Sequence, residues 1–129
     1  MKSIVTLILF SFSLVPIVQA DGPPPYIKDT FPEHAMMEIL KSWGAVKGEG
    51  AAIDGKTREL IALAVAAQIP CEYCVYAHTT RLKEKMSASD AELKEAVAIA
   101  GYIRLFSTVF NGNGYSFEDF QAEFDKALN

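Results

Sequence analysis

Apolar residues recur every three or four positions along most of the chain after residue 29. This period is typical of the buried face of an α-helix, whereas a half-buried strand alternates at every second position. No alternating stretch is long enough to compete with the helical pattern. The sequence therefore predicts an all-α fold with about five to six helices.

The first helix of the predicted domain begins at Thr30. Thr30 and Glu33 have the spacing of a capping box, and Pro32 falls in the first turn, where proline is favoured. The apolar positions that follow mark one buried face: Met36, Met37, Leu40 and Trp43. Three glycines then loosen the chain into a predicted loop: Gly44, Gly48 and Gly50.

The next two helices form the predicted centre of the domain. Asp54 is a good N-cap for a helix over residues 56 to about 68, which is apolar nearly all round. Ile69-Pro70 interrupts this helix, because the residue before a proline is pushed out of helical geometry. A new helix can then run from Cys71 to about Lys85. We expect the two helices to form a central antiparallel pair about this break.

Two further helices complete the prediction. Ser89 and Glu92 again have capping-box spacing, and the glycine-rich residues 111–114 end the helix that they begin. Ser116 is the predicted N-cap of the last helix. Several large aromatic residues are interpreted as core or as a subunit interface: Trp43, Phe117, Phe120 and Phe124. Arg104 is interpreted as a solvated or interface charge.

The first twenty residues have the pattern of a secretory signal peptide. Lys2 precedes an apolar run over residues 4–18, and Val18 and Ala20 suit the positions before a cleavage site. Pro16 breaks this run, which is short for a membrane span of about 20 residues. We therefore predict an exported protein, periplasmic or secreted, with an uncleaved anchor as the alternative. Residues 21–29 form a proline-rich, extended lead-in, and residues 30–129 form the helical domain.

The charge balance excludes some classes of partner. The chain has 12 basic side chains, Lys2 among them, and 16 acidic ones, so it stays acidic after loss of residues 1–20. No run of lysine and arginine is present. Nucleic acid and, after cleavage, an anionic membrane surface are therefore not expected as partners.

The two cysteines, Cys71 and Cys74, carry the candidate chemistry. A disulfide between them closes a very small loop, and such a loop contributes little stability in the chain-entropy model. Reactivity explains the pair better than a structural role. On one helix, Cys71, Cys74 and His78 point the same way, and the first helical turn favours a thiolate. His78 is then placed to accept a proton from Cys74.

Glu59 is the fourth candidate residue, and it follows from counting. It lies about as far before the Ile69-Pro70 break as His78 lies after it. Antiparallel packing of the two helices would therefore bring Glu59 opposite His78. Its carboxylate would then orient the imidazole.

Residues 57–66, which include Arg58-Glu59-Leu60, and residues 71–79 resemble the carboxymuconolactone decarboxylase/alkylhydroperoxidase D (AhpD-like) superfamily. The resemblance covers roughly residues 53–110 and is to the alkylhydroperoxidase side, marked by Glu59, Cys71, Cys74 and His78. The decarboxylases of the superfamily generally lack the cysteine pair. Some members place a histidine just before the second cysteine, where this chain has Tyr73.

The resemblance implies a thiol-dependent peroxidase. We expect no cofactor and no metal. Cys74 would attack a hydroperoxide substrate and become a sulfenic acid, which Cys71 would capture as a disulfide. An external dithiol or thiol reductant protein would then reduce the pair. The resemblance also implies assembly into a homotrimer or homohexamer.

Other functions remain open from the residues alone. The same cysteine pair could serve a general thiol–disulfide oxidoreductase that does not use peroxide. Alternatively, Cys71, Cys74, His78 and Glu59 could hold zinc in a non-catalytic helical oligomer, although zinc sites seldom take three ligands from one such helical turn.

Overall fold

The computed structural model describes residues 22–129 and confirms the all-α prediction. Within this range the chain forms six helices and no strand. They are α1 (Pro25–Lys28), α2 (Glu33–Lys47), α3 (Gly55–Gln68), α4 (Glu72–Met86), α5 (Asp90–Gly112) and α6 (Phe117–Leu128). The predicted signal peptide lies outside the described residues.

The described chain divides into two compact units, one up to residue 43 and the other over residues 44–129, with the boundary inside α2. In the first unit the prolines open a helix of four residues, α1, although the lead-in was expected to be extended. Proline suits the first helical turn, because its φ angle is fixed near the helical value. The prediction of an extended segment is therefore wrong for Pro25–Lys28, whereas the N-cap, Pro24, has an extended backbone.

The predicted capping box at Thr30 is also wrong. The Thr30 hydroxyl donates backward to the carbonyl oxygen of Tyr26, at 2.6 Å, and so serves the end of α1. The carbonyl of Pro32 accepts the first backbone hydrogen bonds of α2, from Ala35 and Met36. Threonine hydroxyls compete for nearby carbonyls in this way, and sequence spacing does not show which partner is chosen.

The helix α2 runs through Gly44, where a loop was predicted, and ends at Lys47. A single glycine inside a helix costs only about 1 kcal/mol relative to alanine, so it does not stop a helix by itself. The chain turns later, at Gly50, whose φ of +84° suits glycine. This later end places Lys47 on the last turn of α2.

The helices of the second unit begin where their caps predict. The side chain of Asp54 accepts a hydrogen bond from the backbone amide of Thr57, at 3.0 Å. Ser89 and Glu92 form a complete capping box. Ser116 caps α6 through the amide of Asp119. These caps are local, so the sequence pattern alone locates them.

Three helices meet in the core of the second unit, where α3 packs against both α4 and α5. The buried cluster consists of Leu63, Leu82, Ala88 and Leu93. The outer face of α3 and much of α5 carry exposed apolar side chains, and Val65 is 52% exposed.

In α6, Phe120 stacks on Phe124, but Phe117 is 70% exposed and is not a core residue of the described chain. None of the helices within residues 22–129 combines the length and apolar character needed to cross a membrane.

Candidate active site

The cysteine pair lies at the beginning of α4. Cys71 is the N-cap, one position before the first helical residue, whereas the prediction started the helix at Cys71 itself. Cys71 and Cys74 form a disulfide, with Cα atoms 5.3 Å apart. The backbone amide of Cys74 donates to the sulfur of Cys71 at 3.2 Å. The sulfur of Cys71 therefore occupies the position that a serine or aspartate oxygen takes in an ordinary helix cap.

The predicted contact between α3 and α4 is confirmed. The Nδ1 atom of His78 lies 2.6 Å from Oε2 of Glu59. Glu59 is buried, at 3% exposure, and the side chain of His78 is 17% exposed. The antiparallel packing of α3 and α4 produces this contact, as the count from the Ile69-Pro70 break predicts.

Two cations share the other carboxylate oxygen of Glu59. Oε1 lies 3.3 Å from Nη1 of Arg81 and 3.6 Å from Nζ of Lys47. Burial acts to raise the pKa of Glu59, but the hydrogen bond to His78 and the nearby positive charges, Arg81 first, outweigh it. The pKa of Glu59 is therefore lowered from its ordinary value, and the side chain is a carboxylate at neutral pH.

The ionised state of Glu59 fixes the role of the imidazole. A carboxylate can only accept hydrogen bonds, so Nδ1 of His78 must carry the hydrogen of the 2.6 Å bond. In the neutral imidazole the lone pair is then on Nε2. Cys74 is four residues before His78 on α4, so the two side chains are neighbours on the helix surface. The arrangement is able to take up or return a proton beside Cys74.

Sequence reasoning missed Lys47 and Arg81. Arg81 lies three residues after His78, so the two side chains are on the same face of α4. This spacing could have indicated that both contact Glu59. Lys47 had no such signal, because its position depends on how far α2 continues beyond Gly44.

The residues proposed as an alternative zinc site are engaged with one another. The sulfurs of Cys71 and Cys74 are bonded together, and Nδ1 of His78 is bonded to Glu59. Among residues 22–129, no group of three or more histidine, cysteine, aspartate or glutamate side chains is arranged to hold a metal ion.

Arg104 has a defined partner, which the sequence did not reveal. Its Nε donates to the side-chain oxygen of Gln68 at 2.7 Å, and Nη2 donates to the backbone oxygen of Gln68 at 3.1 Å. Gln68 in turn donates to the carbonyl of Ala100 at 2.6 Å. Arg104, on α5, thus binds the C-terminal end of α3. The residue that it contacts, Gln68, lies three positions before Cys71.

Comparison with known proteins gives a family but no characterised relative. An uncharacterized protein of Haemophilus influenzae (strain ATCC 51907 / DSM 11121 / KW20 / Rd) is 51% identical over 43 residues, which is 33% of this chain and 38% of that protein. The chain thus matches well under half of the length of that relative. No solved structure matches the chain significantly. The model of the carboxymuconolactone decarboxylase family matches residues 34–112, well over half of the 129 residues, and the chain belongs to this family.

Proposed function

We propose that the protein is a thiol-dependent peroxidase that reduces hydroperoxides through a dithiol/disulfide cycle of Cys71 and Cys74. One observation carries the proposal. The disulfide lies at the start of α4, one turn before His78, and the imidazole is oriented by the buried carboxylate of Glu59. Family membership is compatible with this activity.

In the proposed cycle, the reduced enzyme begins with a Cys74 thiolate. Its sulfur attacks the terminal oxygen of the hydroperoxide, the O–O bond breaks, and the alkoxide leaves as an alcohol after it takes a proton. His78 supplies this proton, which it received from the Cys74 thiol. Cys74 is now a sulfenic acid.

The second half of the cycle restores the dithiol. The Cys71 thiolate attacks the sulfur of Cys74, the S–O bond breaks, and hydroxide leaves as water after protonation. The disulfide contains the two oxidising equivalents. An external dithiol then reduces it by two exchange steps and becomes a disulfide itself.

The proposal gives Tyr73 no part in the proton transfer. Its side chain is 79% exposed. Some members of the superfamily have a histidine at this position, and here the transfer depends on His78 alone.

The proposal includes export and assembly. Residues 1–20 would direct the chain to the periplasm or the exterior, where its reductant must be a dithiol protein of that compartment. We further propose a homotrimer or homohexamer. Side chains of α5 support a homo-oligomer, because several are more than half exposed although apolar: Ile99, Tyr102, Ile103, Leu105 and Phe106.

The test follows the loss of hydrogen peroxide and of an alkyl hydroperoxide with excess dithiothreitol. The unsubstituted protein, Cys74→Ser, Cys71→Ser and the matched control Ser87→Ala are compared. We expect Cys74→Ser to lose the activity. Cys71→Ser, treated with peroxide after the dithiothreitol has been removed, should accumulate a sulfenic acid that dimedone labels at Cys74. The proposal fails if the unsubstituted protein consumes peroxide no faster than Cys74→Ser.

A second candidate is thiol–disulfide exchange without peroxide. The cap geometry favours it, because a Cys71 thiolate would accept a hydrogen bond from the backbone amide of Cys74. This hydrogen bond stabilises the thiolate and makes it a good leaving group. Reduction of a disulfide-bonded protein substrate, measured in parallel, separates the two functions. Rapid exchange without peroxide loss supports this candidate instead.

A further inference from the structure

We propose that Lys47 and Arg81 are positioning residues, which hold Glu59 as a carboxylate and thereby keep His78 in the tautomer that accepts a proton from Cys74. This inference rests on the proposed function, since it assigns two residues to the same proton transfer. Neither side chain belongs to the motif of Glu59, the cysteines and His78.

The two oxygens of Glu59 have separate partners. Both cations approach Oε1, at 3.3 and 3.6 Å, while Oε2 receives the hydrogen bond of His78. The cations therefore leave the histidine contact intact. They are contributed by different helices, Lys47 by the last turn of α2 and Arg81 by α4.

The burial of Glu59 gives the two cations a stabilising role. Glu59 is 3% exposed, and a buried carboxylate without neighbouring positive charge is driven toward its neutral form. Within residues 22–129, the charged or titratable groups found at ion-pair distance from Glu59 are Lys47, His78 and Arg81. The hydrogen bond from His78 is the largest cause that lowers the pKa of Glu59, followed by Arg81, and Lys47 adds to them. Without the two cations, the histidine alone would oppose the cost of burial.

Loss of the carboxylate charge would act directly on the tautomer. A protonated Glu59 can donate to Nδ1 of His78, and the imidazole hydrogen then moves to Nε2. In that state Nε2 has no lone pair for the proton of Cys74. The cations thus act on Cys74 through Glu59 and His78, and their effect must disappear when Glu59 cannot ionise.

The experiment measures the alkylation rate of Cys74 by iodoacetamide as a function of pH, in a Cys71→Ser background that leaves one thiol. Lys47→Gln and Arg81→Gln together are expected to slow alkylation at pH 7 by about tenfold and to move the profile to higher pH. The charge-conserving pair Lys47→Arg and Arg81→Lys should retain most of the rate. Lys83→Gln is the matched control, because it removes a charge from α4 that is paired with Asp90.

The same substitutions in a Glu59→Gln background decide whether the effect passes through Glu59. We expect the tenfold effect to vanish there, and an undiminished effect would show that the cations act on the thiol directly and overturn the proposal. Should Glu59→Gln fail to fold, infrared spectroscopy at pH 7 provides the decision. The Lys47→Gln/Arg81→Gln protein must show the carbonyl band of a protonated carboxyl group, and its absence overturns the proposal.

The alkylation assay contains no peroxide, so its outcome is independent of the proposed peroxidase activity. Failure of that activity appears as no peroxide loss in the unsubstituted protein. Failure of the present proposal appears as an unchanged alkylation profile in the doubly substituted protein.

Discussion

Glu59 and His78 are 19 positions apart in the chain, yet Oε2 of the one lies 2.6 Å from Nδ1 of the other. The contact links the two helices that flank the Ile69-Pro70 break. Because Glu59 is buried and its pKa is lowered, this contact also couples folding to protonation.

Stability should depend on the ionisation of Glu59 in acid. The folded pKa lies below the ordinary value of 4.5, so the stabilisation is complete above pH 4.5 and is lost as the pH falls through the folded pKa. We expect Glu59→Gln to lower the free energy of unfolding at pH 7 by about 2 kcal/mol, since it removes hydrogen bonds to charged groups. The difference from the unsubstituted protein should shrink below pH 4.5. Urea unfolding at pH 7, 4.5 and 3 measures it.

The exposed Glu84 on α4 provides the control for this measurement. Glu84→Gln removes the same charge without a buried contact and should leave the free energy of unfolding nearly unchanged. A difference between Glu59→Gln and the unsubstituted protein that grows in acid would contradict the prediction.

Cys71 should stabilise α4 as its N-cap even when the disulfide is reduced. Its sulfur accepts the amide of Cys74, and the hydroxyl of a serine can do the same. Under reducing conditions, we expect Cys71→Ala to be about 1 kcal/mol less stable than Cys71→Ser, with the unsubstituted protein closer to the serine variant. Thermal unfolding of the three proteins side by side measures these differences. Equal stability of Cys71→Ala and the reduced unsubstituted protein would show that the sulfur does not cap α4.

The ion pair of Lys56 and Glu92 should govern the titration of Glu92. The two side chains join α3 to α5 at 2.6 Å, and the hydrogen bond from Lys56, followed by those from Ser89, lowers the pKa of Glu92 to about 2. Any stabilisation from this pair is present above pH 4.5 and is lost as the pH falls toward 2. In Lys56→Gln, carbon NMR of the carboxyl group should show Glu92 titrating closer to 4.5, whereas Lys94→Gln should leave it in place. If the pKa of Glu92 is the same in Lys56→Gln as in the unsubstituted protein, this account is wrong.

The parts of the structure that depend on neighbours in the chain could be predicted from sequence. The side chains of Asp54, Ser89 and Ser116 each accept a hydrogen bond from the backbone amide three residues later. The local sequence pattern was therefore sufficient to predict these helix starts. The contact of Glu59 with His78 is long-range, but it follows from two helices and one break. Its catalytic role stays a prediction.

The parts that failed depend on competition between alternatives of similar energy. Thr30 could cap the next helix or bond to the previous one, and Gly44 could end α2 or lie within it. The position of Lys47 beside Glu59 depends on the second choice, so the cation was not predictable. Arg104 was missed for a related reason, because its contact requires the packing of α5 on α3.

Arg104 should hold the end of α3 in place ahead of Cys71. It donates to both the side chain and the backbone of Gln68, and the amide of Cys71 itself donates to Ala66 in the same last turn, at 3.0 Å. Arg104→Met should therefore lower the free energy of unfolding by about 1 kcal/mol and speed hydrogen exchange of the Cys71 amide. Arg104→Lys cannot make both contacts from one planar group and should recover only part of the loss. Lys126→Met, on the exposed face of α6, removes a charge without such contacts and serves as the control. If the Cys71 amide exchanges at the same rate in Arg104→Met and in the control, the hydrogen bonds of Arg104 to Gln68 do not stabilise the backbone at Cys71. The stability of the last turn of α3 must then come from α3 and α4 alone.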